Sequence, residues 1–242
     1  MSMGQCLLDK IKLICLPHAG GSSLIYNSWK RKINSNIEIY SPELPGRGFR
    51  YKEDHPKNLI AVVNDIYKNI INDLTNSTYA LFGHSMGALM VYELYKKIKS
   101  NNMPLPKALF ISGMYSPTTN IKERIHLYSD KELIEKIKEL GGTPKNILKN
   151  KSFIDTYIPI IRADYKMIET YKYKETCLKI SEPTFIFSGK KDSISKSLIQ
   201  SWEGQTLFQP KYYEFSGGHF FINENSEDVL YTIENILLQG GN

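Results

Sequence analysis

Short apolar runs recur near residues 12–16, 37–40, 79–83, 107–112, 183–188 and 211–215, each of strand length. Between them the apolar positions take up a helical period. Leu59, Val62, Val63, Ile66, Ile70 and Leu74 share one face of a helix over 58–74. A second such stripe, with Val229, Leu230, Ile233 and Ile236, runs over about 226–238, and a third runs from Ala88 to Ile98. Strands alternating with helices predict an α/β domain, with a mostly parallel central sheet flanked by helices on both faces.

The stretch from about 115 to 172 breaks this alternation. Ser129 with Glu132 forms a capping box ahead of Leu133, Ile134, Ile137 and Leu140. Gly141 and Gly142 end that helix and Pro144 follows. A second helical pattern carries Phe153, Tyr157, Ile161, Tyr165 and Ile168. Two amphipathic helices between core strands predict an inserted helical lid over the C-terminal edge of the sheet, where α/β ligands bind. Otherwise the two helices would only complete the core.

Composition narrows the class. At 242 residues, residues 1–242 suit one α/β domain, and 41% hydrophobic with 23% charged residues is ordinary for a globular protein. The first apolar run is too short for a signal-peptide core and is interrupted by Lys12, so no secretory signal is expected. No run is long enough to span a membrane. Cys6, Cys15 and Cys177 have no metal-ligand spacing and form an odd set, which fits a reducing cytoplasm. A net charge of +6 raises nucleic acid as a partner, but the lysines are scattered rather than clustered, so none is expected.

Chemistry enters at Gly83-His84-Ser85-Met86-Gly87, which follows the apolar run Tyr79 to Phe82 and precedes a helical pattern. This is a G-x-S-x-G elbow in strand–turn–helix context. The turn crowds the serine backbone, and the flanking glycines leave room for it. Asp192 follows the run Pro183 to Gly189, and His219 follows Tyr212 to Phe215, in Ser216-Gly217-Gly218-His219. Ser, Asp, His is the chain order of an α/β-hydrolase triad. A serine hydroxyl needs a base within reach, and a carboxylate fixes the imidazole tautomer. Ser85, His219 and Asp192 take those roles. Asp164 also lies between Ser85 and His219, but on a helix pattern rather than a post-strand turn, which suits a residue that caps, pairs or touches the ligand. Acyl transfer also needs two N–H donors for the oxyanion. Met86 supplies one, and Ala19 or Gly20, in Pro17-His18-Ala19-Gly20-Gly21-Ser22 after an early strand, the other.

Several of these segments carry a resemblance. Leu-Pro-His-Ala-Gly-Gly-Ser at 16–22, Glu-Leu-Pro-Gly-Arg at 43–47, Phe-Gly-His-Ser-Met-Gly-Ala at 82–88, Leu-Gly-Gly-Thr-Pro at 140–144, Arg-Ala-Asp-Tyr at 162–165, Phe-Ser-Gly-Lys-Lys-Asp at 187–192 and Gly-Gly-His-Phe-Phe at 217–221 occur in order over nearly the whole chain. Together they resemble the type II thioesterases that accompany nonribosomal peptide and polyketide synthases. Gly48 departs from the family, which more often carries an acidic residue there. The resemblance implies an α/β-hydrolase fold and a stand-alone hydrolase that edits acyl groups on phosphopantetheinyl carrier proteins. It implies no metal and no catalytic cofactor, since phosphopantetheine arrives with the substrate. Acyl or peptidyl carrier domains would be the partners, and a monomer is the expected state. The alternatives are a medium-chain fatty acyl-carrier thioesterase, a general carboxylesterase and a non-catalytic hydrolase-fold binding protein.

Other residues have a structural reading beside a functional one. His18 and His84 hold loops or act directly. Arg47 and Arg50 anchor loops by pairing nearby carboxylates such as Glu43, or meet a phosphate on the carrier arm. Lys190 and Lys191 are solvated or do the same. His55 and His126 are expected on the surface. His18, Gly20, Arg47 and Asp164 are the positions that can touch substrate or carrier.

Overall fold

The computed structural model describes residues 10–120, 123–144, 146–175 and 177–239, so Cys6 lies outside the described residues. Strand β1 (Ile11–Leu16) leads through α1 (Asn27–Lys32) to β2 (Ile37–Tyr40), and α2 (Leu59–Asn76) returns the chain to β3 (Tyr79–His84). Then come α3 (Met86–Ser100), β4 (Leu109–Ser112), α4 (Asp130–Leu140) and α5 (Lys151–Glu169). The chain closes with β5 (Thr184–Gly189), α6 (Lys196–Gln200), β6 (Lys211–Phe215), α7 (Phe221–Glu224) and α8 (Ser226–Leu238).

The strands form one six-stranded sheet in the order β2-β1-β3-β4-β5-β6. Every pairing in it is parallel. Parallel strands buried on both faces need apolar side chains in both directions. Leu13 and Cys15 point to one face and join Trp29, Phe82, Val229 and Ile233. Ile14 and Leu16 point to the other and join Val62, Ile66, Leu81 and Leu94. The period-2 alternation along β1 thus fills two cores at once.

From β1 the chain moves outward to β2, then crosses to the other side of β1 to lay down β3. This reversal is the switch point at which α/β sheets open a crevice beyond their strand ends. The register pairs Leu16 with Gly83, so the loops leaving β1 and β3 start side by side.

Between β4 and β5, helices α4 and α5 and the turn joining them build a small core of their own from Leu133, Ile137, Leu148, Ile158 and Ile161. Ser129 caps α4: its hydroxyl accepts from Glu132 N, while Ser129 N donates to the Glu132 carboxylate. Among the described residues no helix is long and apolar enough to cross a membrane.

The loop after β2 explains the unusual glycine. Glu43 is 3% exposed and accepts from Ser23 N, at 3.1 Å, and Ser23 Oγ, at 2.9 Å. Gly48 sits over that carboxylate with φ +51, and a Cβ there would lie 2.0 Å from Glu43 Oε2. Any side chain would clash, and an acidic one would also add like charge. Gly48→Asp is therefore expected to destabilise the fold by about 1–3 kcal/mol, from backbone strain together with the buried carboxylate. Urea unfolding checks this, and an unchanged midpoint would contradict the packing described.

Candidate active site

The elbow is built by close backbone approach. Ser85 takes φ 54 and ψ −119, a conformation that non-glycine residues rarely adopt. A Cβ on Gly83 would lie 2.1 Å from Gly87 O, and one on Gly87 would lie 2.2 Å from Leu16 O. The first turn of α3 therefore rests directly against the exit of β1, and only glycines permit it. Ser85 N donates to Ser112 O at 2.8 Å, tying the turn to the end of β4. Met86 opens α3, where a helix leaves its first amides without internal partners.

The candidate acid and base, Asp192 and His219, come from the loops after β5 and β6. After β5, Lys190 N donates to Phe215 O and Lys191 N donates to Gly217 O, which laces this turn to the loop leaving β6. A Cβ on Gly189 would meet Gly218 O at 2.3 Å, so the two loops touch through glycine. The contact brings His219 Nδ1 to 2.8 Å from Asp192 Oδ2. The Asp192 side chain is 1% exposed, and its Oδ1 accepts from Ile194 N at 3.2 Å.

His219 is packed among rings. The His84 ring centroid lies 5.1 Å from that of His219, and Phe220 lies 5.3 Å from it. His84 is fully buried below, with Nδ1 2.9 Å from Ser112 Oγ. His18 stacks edge-on to Phe220 at 4.8 Å and places its Nδ1 2.9 Å from Ala19 O. Burial pushes the His84 pKa well below its ordinary value, and neighbouring histidine charge adds to the effect. Burial likewise lowers His18, to about 4, against a smaller raising effect from its bond to Ala19.

The loop leaving β1 is held from two directions. Arg47 forms a bidentate pair with Asp164, Nη1 to Oδ2 at 2.6 Å and Nη2 to Oδ1 at 2.7 Å. The same Asp164 Oδ2 accepts from Gly20 N at 2.7 Å, and Arg47 Nη1 donates to Gly21 O at 3.1 Å. The two side chains are 2% and 0% exposed. This corrects the expected partner of Arg47, which pairs with Asp164 and not Glu43. Arg50 pairs with Glu53 and Asp65 and gives Glu43 only a bond to its carbonyl. Asp164 pairs rather than caps, and its burial leaves it no surface for a ligand. His126 is also corrected: it is half-buried and paired with Glu169, which additionally accepts from Ile125 N. His55, Lys190 and Lys191 are exposed.

A cavity of about 460 Å³ opens beside this loop, between His18, Ala19 and Gly20 on one side and Phe153, Tyr157 and Ile161 of α5 on the other. Among the described residues no group of three or more His, Cys, Asp or Glu side chains is placed to hold a metal ion.

The chain matches the family model described as thioesterase domain over residues 11–237. It is 32% identical over 223 residues to the gramicidin S biosynthesis protein GrsT of Aneurinibacillus migulanus, covering 91% of this chain and 86% of that one. Among solved structures, ClbQ from the colibactin NRPS/PKS pathway superposes with a TM-score of 0.87 at 30% identity, covering 93% of this chain and 96% of that chain. The type II thioesterase BorB from the borrelidin biosynthetic cluster gives 0.85 at 29% identity, with 93% and 92% covered.

The half-buried His18 also sets how stability responds to pH. Between its ordinary value of 6.5 and its folded value of about 4, the unfolded chain binds a proton that the folded chain refuses. Stability contributed by neutral His18 is therefore lost as pH falls from 6.5 towards 4. His84 acts in the same direction. In thermal melts across that window, His18→Gln is expected to show a shallower decline of Tm than the parent chain. A slope identical to the parent's would contradict this account of His18.

Proposed function

The chain belongs to the thioesterase domain family, among the type II thioesterases of peptide- and polyketide-synthase systems, and from that membership we propose that it releases acyl groups from phosphopantetheinyl carrier proteins by attack of Ser85. The observations that support this reading are the 2.8 Å bond between His219 and Asp192, the 5.1 Å between the rings of His219 and His84, and the φ of 54 at Ser85, the residue after His84.

In this mechanism Ser85 Oγ attacks the thioester carbonyl and His219 takes its proton. The developing oxyanion lies between Met86 N–H and Ala19 N–H. Ala19 is preferred over Gly20 because the Gly20 N–H is already given to Asp164. The C–S bond breaks, and the thiol of the phosphopantetheine arm leaves with the proton from His219. A water, deprotonated by His219, then hydrolyses the acyl-serine. Asp192 holds the imidazole in the tautomer that presents Nε2 to Ser85 and stabilises the imidazolium. No metal or cofactor takes part in these steps. The role is editing, the removal of wrong or stalled acyl groups from synthase carrier domains, by a cytoplasmic monomer.

Two expectations test the chemistry. Ser85→Ala abolishes the acyl adduct that intact-mass spectrometry detects with a short acyl thioester, without loss of fold; an adduct surviving on the variant would remove Ser85 from the mechanism. Asp192→Asn lowers turnover by roughly 10⁴-fold, the scale found when a serine-protease triad loses its acid. A variant that kept near-parental turnover would mean that another carboxylate serves His219.

A third expectation tests the substrate. Acetyl- or propionyl-carrier protein should have a higher kcat/KM than the same acyl group on N-acetylcysteamine, because binding energy from the remote carrier can be used at the reacting carbonyl. With a net charge of +6, part of that preference is electrostatic toward acidic carriers. It should shrink with salt, as the Debye length falls from about 10 Å at 0.1 M to about 3 Å at 1 M. Equal efficiency on both substrates, or faster cleavage of oxygen esters, would favour a general esterase. A strong preference for medium-chain acyl groups would favour a fatty acyl-carrier thioesterase.

A further inference from the structure

We propose that Asp164 is a positioning residue for the oxyanion loop: from helix α5 its carboxylate fixes Gly20 and Gly21 so that the preceding Ala19 N–H is aimed at the reacting carbonyl. The proposal rests on the thioester-hydrolase reading above.

Within the loop, Gly21 N donates to His18 O at 2.9 Å and His18 Nδ1 lies 2.9 Å from Ala19 O, but these bonds do not fix the turn relative to the elbow. The loop is rich in small residues, and Gly20 takes φ +76, a conformation that a flexible chain would leave readily. Asp164 Oδ2 receives the Gly20 N–H at 2.7 Å, and Arg47 Nη1 binds both that oxygen, at 2.6 Å, and the Gly21 carbonyl, at 3.1 Å. The carboxylate and guanidinium thus grip the N–H of one residue and the carbonyl of the next. Ile161 closes the clamp from the same side, since a Cβ on Gly20 would lie 2.4 Å from Ile161 Cγ1. Ile161 and Asp164 are three residues apart on α5 and so share one helix face. The geometry of the second oxyanion donor therefore depends on a helix of the inserted segment. A helix that swung away would carry Asp164 and Ile161 with it and release the Gly20 N–H, leaving Arg47 as the remaining grip on the loop.

The charge arrangement is specific to a carboxylate. Three donors, Arg47 Nη1, Arg47 Nη2 and Gly20 N, converge on its two oxygens. An amide at this position offers one acceptor and turns an N–H₂ toward one of those donors. Asp164→Asn should then release Gly20 while adding little volume change.

Three measurements test this. On an acyl N-acetylcysteamine thioester, Asp164→Asn is expected to lower kcat about 10²-fold, the lower range for loss of an oxyanion donor, with KM changed less than about threefold. An alkylboronic acid supplies an independent readout, because Ser85 Oγ bonds to boron, its proton passes to His219, and a boron-bound oxygen fills the oxyanion site. Its affinity should fall by a similar factor, whereas a structural loss of active molecules would reduce the number of binding sites and leave affinity unchanged. Arg47→Met with Asp164→Leu removes both charges, so it should recover much of the thermal stability lost in Asp164→Asn without recovering kcat. If that double variant does not fold, Arg47→Lys, which keeps the charge but not the grip on Gly21, should lower kcat about tenfold. Parental kcat and boronate affinity in Asp164→Asn, kcat returning with stability in the double variant, or parental kcat in Arg47→Lys would overturn the proposal. Absence of thioester hydrolysis by the parent chain would instead overturn the thioesterase reading, and the boronate affinities would still decide the role of Asp164.

Discussion

A carboxylate with no exposed surface must have its charge neutralised and both oxygens filled, and Asp164 meets that requirement only if three segments meet. Desolvating an ion costs several kcal/mol, and a buried pair offsets this only with near-ideal geometry and further hydrogen bonds. The bidentate Arg47 pair and the Gly20 amide supply both. Removing one partner of such a pair typically costs about 3–5 kcal/mol, because the other charge is left behind. The loop after β1, the loop after β2 and helix α5 are therefore mutually fixed, although they are far apart in sequence. A well-packed apolar trio could be equally stable, so stability alone does not account for the pair. What the ions add is direction: they hold a backbone amide and a carbonyl of a glycine loop in one orientation.

The sheet explains why this direction matters where it does. All six strands run parallel, so every strand leaves at the same edge. The switch point between β1 and β3 places the glycine loop beside the elbow. The pairing of Gly189 with Phe215 brings the loops of Asp192 and His219 together in turn. Backbone-to-backbone contacts then set the fine spacing. Gly83 against Gly87, Gly87 against Leu16 and Gly189 against Gly218 are approaches that no side chain would allow. Ser85, Asp192 and His219, the candidate catalytic residues, thus sit on short turns clamped by hydrogen bonds and glycine contacts, which limits the motion of each.

Much of this was legible in the sequence because it is local. The six strands and the helices at 58–74 and 226–238 declare themselves through periodicity over a few residues. The capping box at Ser129 and the glycines ending α4 are read the same way. The likeness to thioesterases rests on motifs of five to seven residues, and it survives comparison with whole chains and folds. Long-range pairing was not legible. Arg47 and Asp164 are 117 residues apart, and Glu43, four residues from Arg47, was the nearer carboxylate to choose. Glu43 is instead satisfied by Ser23, and its burial under Gly48 explains a glycine that family pattern alone left unexplained. His126 read as exposed because nothing in its local sequence announces Glu169, 43 residues away. Charge pairing across elements depends on how helices dock, and periodicity does not report that.

Three imidazoles lie close together at the sheet edge, and their surroundings divide the work among them. His84 is 5.1 Å from His219 and 6.4 Å from His18, ring centre to ring centre. A proton on any one of them raises the electrostatic cost of a proton on the others. Burial keeps His84 and His18 neutral, so neither competes for the proton or adds a charge beside the elbow. Each is also spent on a structural bond, His84 to Ser112 Oγ and His18 to Ala19 O. Of the three, His219 is the one hydrogen-bonded to a carboxylate, so a positive charge forming there gains a direct partner. Of three residues with the same chemistry, packing thus sets only His219 against Asp192. The other two wall the site, and the buried His84 ring adds to the low-dielectric surroundings in which the Asp192–His219 interaction is strongest.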